Sequence, residues 1–172
     1  MVELIVVLIL IGILSAIGVG RFFSRTGYDA ASFAEEGRTM LRYAQKLAVA
    51  QNRRVYVQGS LEGVALCYEV TAKCPPASQV PAPSGANSGR ASTRRYCTSS
   101  NGFAPLWYCE GWPPGIAMTP VSGSLTEKPF YFDALGRPGF DDNQAFTGIV
   151  VTISGDGISS RIAIEQETGY VN

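Results

Sequence analysis

Four cysteines stand at 67, 74, 97 and 109, with six residues between the first two and eleven between the last two. Zinc ribbons need C-x2-C pairs, and the chain has no histidine to complete a site of another kind. The same lack removes Ser-His-Asp and Cys-His nucleophiles. No paired carboxylates or nucleophile–base motif stand in their place, so no enzyme, no metal and no cofactor is expected. The cysteines read instead as a disulfide framework made in an oxidising compartment. Three connectivities are open to four cysteines, and sequence does not choose among them. Two considerations favour Cys67–Cys74 with Cys97–Cys109. Cys67 lies in a strand-like run, while Cys74 precedes Pro75-Pro76, which cannot continue a ladder. Cys97 and Cys109 bracket Ser99-Ser100-Asn101-Gly102, a good chain reversal.

The remaining polar groups carry weaker signals. Arg90, Arg94 and Arg95 cluster near Tyr96, Trp107 and Tyr108, a combination that suits a phosphate or a nucleic-acid strand. Solvated charges on a loop are the plainer reading. Lys and Arg total 14 against 14 Asp and Glu, so no bulk charge draws the chain to nucleic acid. Asp141-Asp142-Asn143 offers oxygens to a calcium ion but lacks EF-hand spacing. Asp156 lies in Gly155-Asp156-Gly157, a hairpin turn rather than a catalytic setting. Trp107 and Trp112 suit a core beside a disulfide as well as a ligand.

Glu3 is different, because of what surrounds it. From Leu4 to Gly20 every residue except Ser15 is apolar or Gly. As a helix rising ~1.5 Å per residue the run reaches ~26 Å, close to the ~30 Å hydrocarbon core. A secretory signal peptide would carry basic residues ahead of the run, and none stands there. A carboxylate at the edge of such a helix is costly to desolvate and marks a function or a headgroup position.

The elements that position these residues follow from periodicity. Ala30, Phe33, Ala34, Gly37, Leu41, Ala44 and Ala48 form one apolar stripe, widened by Met40 and Leu47. Residues ~2–52 therefore read as one long helix, loosened around Gly18, Gly20 and Ser24–Gly27, its first half in lipid and its second half on a sheet. The period changes to two at Val55–Gln58 and Val64–Val70, again at Pro129–Asp133, and at 149–154 and 161–165 about the hairpin turn. Residues 75–114 hold seven of the ten prolines among Ser, Gly and Asn, so regular structure is not expected there. The fold class is α+β: a long N-terminal helix packed on an antiparallel sheet.

Val2-Glu3-Leu4-Ile5-Val6-Val7-Leu8-Ile9-Leu10-Ile11-Gly12-Ile13-Leu14-Ser15-Ala16-Ile17 resembles the N-terminal signature of type IV prepilins and pseudopilins. Glu3 matches the family's glutamate near the mature N-terminus. Met1 falls where the third mature residue stands, so the leader and two residues are absent as written, and this form is no substrate for the prepilin peptidase that meets the native precursor. Tyr43–Ala50 followed by Arg54–Val57 resembles the H-type pseudopilin of type II secretion. Phe132-Asp133-Ala134-Leu135-Gly136-Arg137-Pro138, Val151–Gly155 and Glu167–Val171 resemble minor pilins of the mannose-sensitive haemagglutinin type.

The resemblance implies a pilin-like fold with residues 1–26 as membrane and filament-core helix and 27–172 as a periplasmic globular domain. It implies a structural subunit anchored once in the bacterial inner membrane that then enters a pilus or pseudopilus filament. Its partners are other pilins or pseudopilins and the assembly machinery, and Glu3 attracts a neighbour's N-terminal amine. The alternative is a tip module binding DNA or a surface ligand through 75–114. Cysteines beyond the anchor place the domain outside the cytoplasm, against the pull of Arg21 and Arg25 under the positive-inside rule.

Overall fold

The computed structural model describes residues 2–22, 25–70, 74–122, 128–142 and 144–172, with side chains described outside 14–27 and 121–122. Helix α1 covers Val2–Phe22 and helix α2 Arg25–Gln51; α1 is continuous through Gly18 and Gly20. Strong helix formers fill α2, and the expected stripe is its inner face: Ala30, Phe33, Ala34, Met40, Leu41, Ala44 and Ala48 are buried. The helix ends at Asn52, whose φ is 50°. Asn52 N–H bonds to Val49 O and Arg53 N–H to Ala48 O, the two bonds of a Schellman cap.

Among the described residues ten strands follow: β1 Val55–Gly59, β2 Gly63–Cys67, β3 Thr98–Ser99, β4 Gly102–Phe103, β5 Cys109–Gly111, β6 Ala117–Ser122, β7 Phe130–Phe132, β8 Pro138–Gly139, β9 Ile149–Gly155 and β10 Ile158–Ile164. They form not one sheet but three, all antiparallel. The orders are β5-β2-β1-β7-β8, β10-β9-β6 and β3-β4. Helix α2 packs across β9, β10, β1 and β7, so the long helix joins the two larger sheets into one core. Along β9 burial alternates, with Ile149, Val151 and Ile153 inward. The β9–β10 turn sits on Asp156 and Gly157, both at positive φ, as a two-residue hairpin requires.

Two of the resembling segments meet at α2. Phe132–Pro138 is the β7–β8 turn, where Asp133 Oδ1 accepts the N–H groups of Leu135 and Arg137. Gln45 on α2 donates its amide to Gly136 O and Thr168 O, both at 2.9 Å. The C-terminal segment is tied to β10 through the backbone of Ala163 and Asn172.

The expectation of an irregular stretch at 75–114 does not hold. It contains a 3-10 turn at Pro76–Ser78, helix α3 at Ala91–Tyr96, and strands β3, β4 and β5. Local composition argues against such elements, but tertiary ties hold them. Strand β2 also ends at Cys67 rather than Val70, and β6 is an addition; its register shifts beyond Pro120, which breaks its alternation.

Candidate functional site

Residues Val2–Ile13 of α1 are exposed on every side. Leu4, Ile5, Leu8, Ile9 and Ile11 each leave more than half their surface open. Glu3 lies in the first turn of this helix, where a carboxylate complements the helix dipole. Among the described residues no helix is long and apolar enough to cross a membrane. The side chains that would complete the expected span, from Leu14 to Gly20, lie outside the described residues.

The second region is the stretch 75–114. Disulfides join Cys67 to Cys74 and Cys97 to Cys109, with Cα separations of 5.9 and 5.8 Å. Trp107 is buried among these cysteines with Ala65, and its indole N–H donates to Leu66 O at 2.8 Å. Trp112 donates to Ser60 O and packs edge-on against Phe33. Both tryptophans therefore belong to the core.

Glu110 on β5 is 2% exposed. Its Oε1 accepts the Ser88 N–H at 2.7 Å, and its Oε2 accepts the hydroxyls of Thr93, at 2.7 Å, and Ser88. Three donors replace the water that burial removes. Sequence reading missed this residue. Its signal was a single charge in Trp107-Tyr108-Cys109-Glu110-Gly111-Trp112, a run of residue types that otherwise bury.

Helix α3 lies along the outer side of β5. Ser92 Oγ donates to Gly111 O, and Gly111 N–H donates to Thr93 Oγ1. The approach is so close that a Cβ on Gly111 would stand 2.4 Å from Ser92 O, and one on Gly63 2.4 Å from the Tyr96 ring. Glycine is required at both positions.

The three arginines do not form one patch. Arg90, just before α3, reaches across to α2 and pairs with Glu36 at 2.6 Å, its guanidinium 5.7 Å from the Phe33 ring centre. Arg94 folds back to donate to Gly89 O and lies over Phe103. Arg95 points to a recess beside β1. Burial raises the Glu36 pKa above its ordinary value, with the nearby Glu110 adding to this and Arg90 opposing it. Burial also pushes the Tyr108 phenol up to about 12, helped by Glu36 and Glu110.

Around Asp141 the oxygens are engaged by cations of the chain itself. Asp141 accepts from Arg54 at 3.0 Å and from the Tyr56 hydroxyl, and Asp142 accepts from Lys128 at 2.7 Å. Asn143 lies outside the described residues. No cluster of three metal-ligating side chains occurs among the described residues.

No family model and no curated protein matches the sequence. In structure the chain is similar to the type IV minor pilin FimU of Pseudomonas aeruginosa strain PAO1. The TM-score is 0.51 at 20% identity, over 84% of this chain and 87% of that one. A second crystal form of FimU gives 0.49 at 18% identity, over 83% and 90%. The likeness of the first shows the fold: α2 on antiparallel sheets is the pilin arrangement.

Proposed function

We propose that this chain with the pilin fold is a minor pilin, a structural subunit that enters a type IV pilus through its N-terminal helix. The observation that carries the reading is the exposure of Val2–Ile13, apolar around the whole helix apart from Glu3. A helix apolar all round is stable only inside lipid or among other helices. In this reading residues 1–26 hold the subunit in the inner membrane and 27–172 form the periplasmic domain. Transfer into the filament exchanges lipid for neighbouring helices at little cost, since both are apolar. Glu3 then pairs with a neighbour's N-terminal amine, because a lone buried carboxylate would cost several kcal/mol. The disulfides support a periplasmic location, and prepilin peptidase would process the native precursor. A type II secretion pseudopilus would use the same physics; the likeness to FimU favours the pilus.

The test is Glu3→Ala in the producing bacterium. The variant should accumulate in the membrane fraction at the normal level, with an unchanged domain melting temperature, and be missing from sheared filaments. Its incorporation at the normal level would sink the reading.

A further inference from the structure

Glu36 is the point at which α2 grips the insert. Its side chain is 26% exposed, and Arg90 reaches it at 2.6 Å from the segment ahead of α3. The same Arg90 begins that helix, because its C=O accepts the Arg94 N–H at 2.8 Å. Thr93, within the helix, donates its hydroxyl to Glu110 Oε2 and accepts the Gly111 N–H. The grip on Glu36 is thus continuous with the seat of α3 on β5. Among the described residues, the charged and titratable groups that face Glu36 from the insert are Arg90, Glu110 on β5 and the Tyr108 phenol. Tyr108 keeps its proton up to about 12, so it brings no charge at neutral or acid pH. On α2 itself, the neighbouring Glu35 is paired with Arg38. Docking the insert therefore withdraws the Glu36 carboxylate from water and sets the Glu110 carboxylate near it, with Arg90 opposing both effects. Arg90 does not cancel them, because its side chain is 40% exposed and water screens its charge.

We propose that Glu36 is a proton-operated latch: gaining a proton tightens the hold of the insert on α2, and losing it loosens α3 on the β5 edge. With the insert in place, burial holds the Glu36 pKa above its ordinary value. With the insert lifted away, Glu36 is solvated and returns to ~4.3. The docked form thus binds the proton more tightly. Its extra stability is complete below pH ~4.3 and is lost as pH rises through the raised value. A neutral Glu36 carboxyl still accepts from the Arg90 guanidinium through its carbonyl oxygen. The contact therefore survives protonation, while the buried charge and its repulsion by Glu110 disappear. Nothing in this inference depends on the assembly reading.

The test follows amide hydrogen exchange of the full chain, in zwitterionic detergent micelles, between pH 7 and pH 4, with each rate divided by its intrinsic rate. The amides read are those of Arg94, Cys97 and Gly111, whose acceptors belong to Arg90 and Thr93. Their protection in the unaltered chain, divided by that in Glu36→Gln, should rise roughly threefold or more toward pH 4. The ratio cancels the titration of the other carboxyls, Glu110 among them. A carbon-13 titration of the Glu36 carboxyl in the unaltered chain is the second measurement and needs no variant. Its midpoint should lie above ~4.3. The proposal is overturned by a ratio that stays flat or falls toward pH 4, or by a Glu36 midpoint at or below the ordinary value.

Discussion

Helix α2 with its β9–β10 support, and the insert 75–114, are built by opposite means. The first is held by a stripe and an alternation: Phe33, Met40 and Leu41 on one side, Ile149, Val151 and Ile153 on the other. Such a surface is cohesive because many weak contacts add, and no single polar group decides it. The insert has short elements and relies on a few strong ties: the Cys97–Cys109 disulfide within it and Cys67–Cys74 at its entry, one carboxylate with three donors, and one ion pair to α2. Removing one tie there should loosen a whole segment, whereas the helix–sheet core should respond only through its own packing.

The largest effect is expected at Glu110. Glu110→Ala leaves the Ser88 N–H and two hydroxyls without their acceptor and should cost about 3–4 kcal/mol. Hydrogen exchange should accelerate across 88–97 and 109–111 while 149–164 stays protected. Equal loss of protection in both regions would break the division drawn above.

Opening Cys97–Cys109 by a double Cys→Ala change should cost slightly less, about 2–3 kcal/mol for so short a loop. Thermal unfolding should then show the insert melting ahead of the core. A single transition shifted as one would mean that the two regions are not separable.

The smallest effect is set by pH. The folded chain holds the Tyr108 proton with a pKa of about 12, above the ordinary tyrosine value of ~10. The folded state therefore binds that proton more tightly than the unfolded state. The associated stability is complete below pH ~10 and is lost as pH rises through ~12. Tyr108→Phe should reduce the alkaline slope of stability by about one proton. An unchanged slope would show that Tyr108 is not buried beside the carboxylates.

This contrast also explains what the sequence disclosed. The α2 stripe, β1 and the hairpin about Asp156 were legible because their signals repeat every 3.6 or two residues, or sit in one turn. The insert carries no period. Glu110 finds Thr93 and Ser88 across 17 and 22 residues, and Arg90 finds Glu36 across 54. Nothing local in Arg90 tells a solvated charge from a tether. Seven prolines suggested an irregular loop, yet Pro75 and Pro76 sit at the entry to a 3-10 turn, where a missing N–H costs nothing. The short local disulfide pairing was favoured because the reversal at Ser99–Gly102 lay in plain view, and that reversal is the β3–β4 hairpin.

The seat of α3 on β5 has a consequence for crowding. An outermost strand with unpaired peptide groups is a template for further strands, and copies of a protein held close together are exposed to runaway accretion. Here Ser92 and Thr93 occupy the outward C=O and N–H of Gly111, and the helix backbone leaves no room even for a methyl group. At the far end of the same sheet β8 is two residues long and begins with Pro138, which has no N–H to offer. The five-stranded sheet is thus blunt at both ends, so copies can gather at high density without their sheets fusing. The Cys97–Cys109 bridge, which closes the chain between α3 and β5, helps to keep that seal in place.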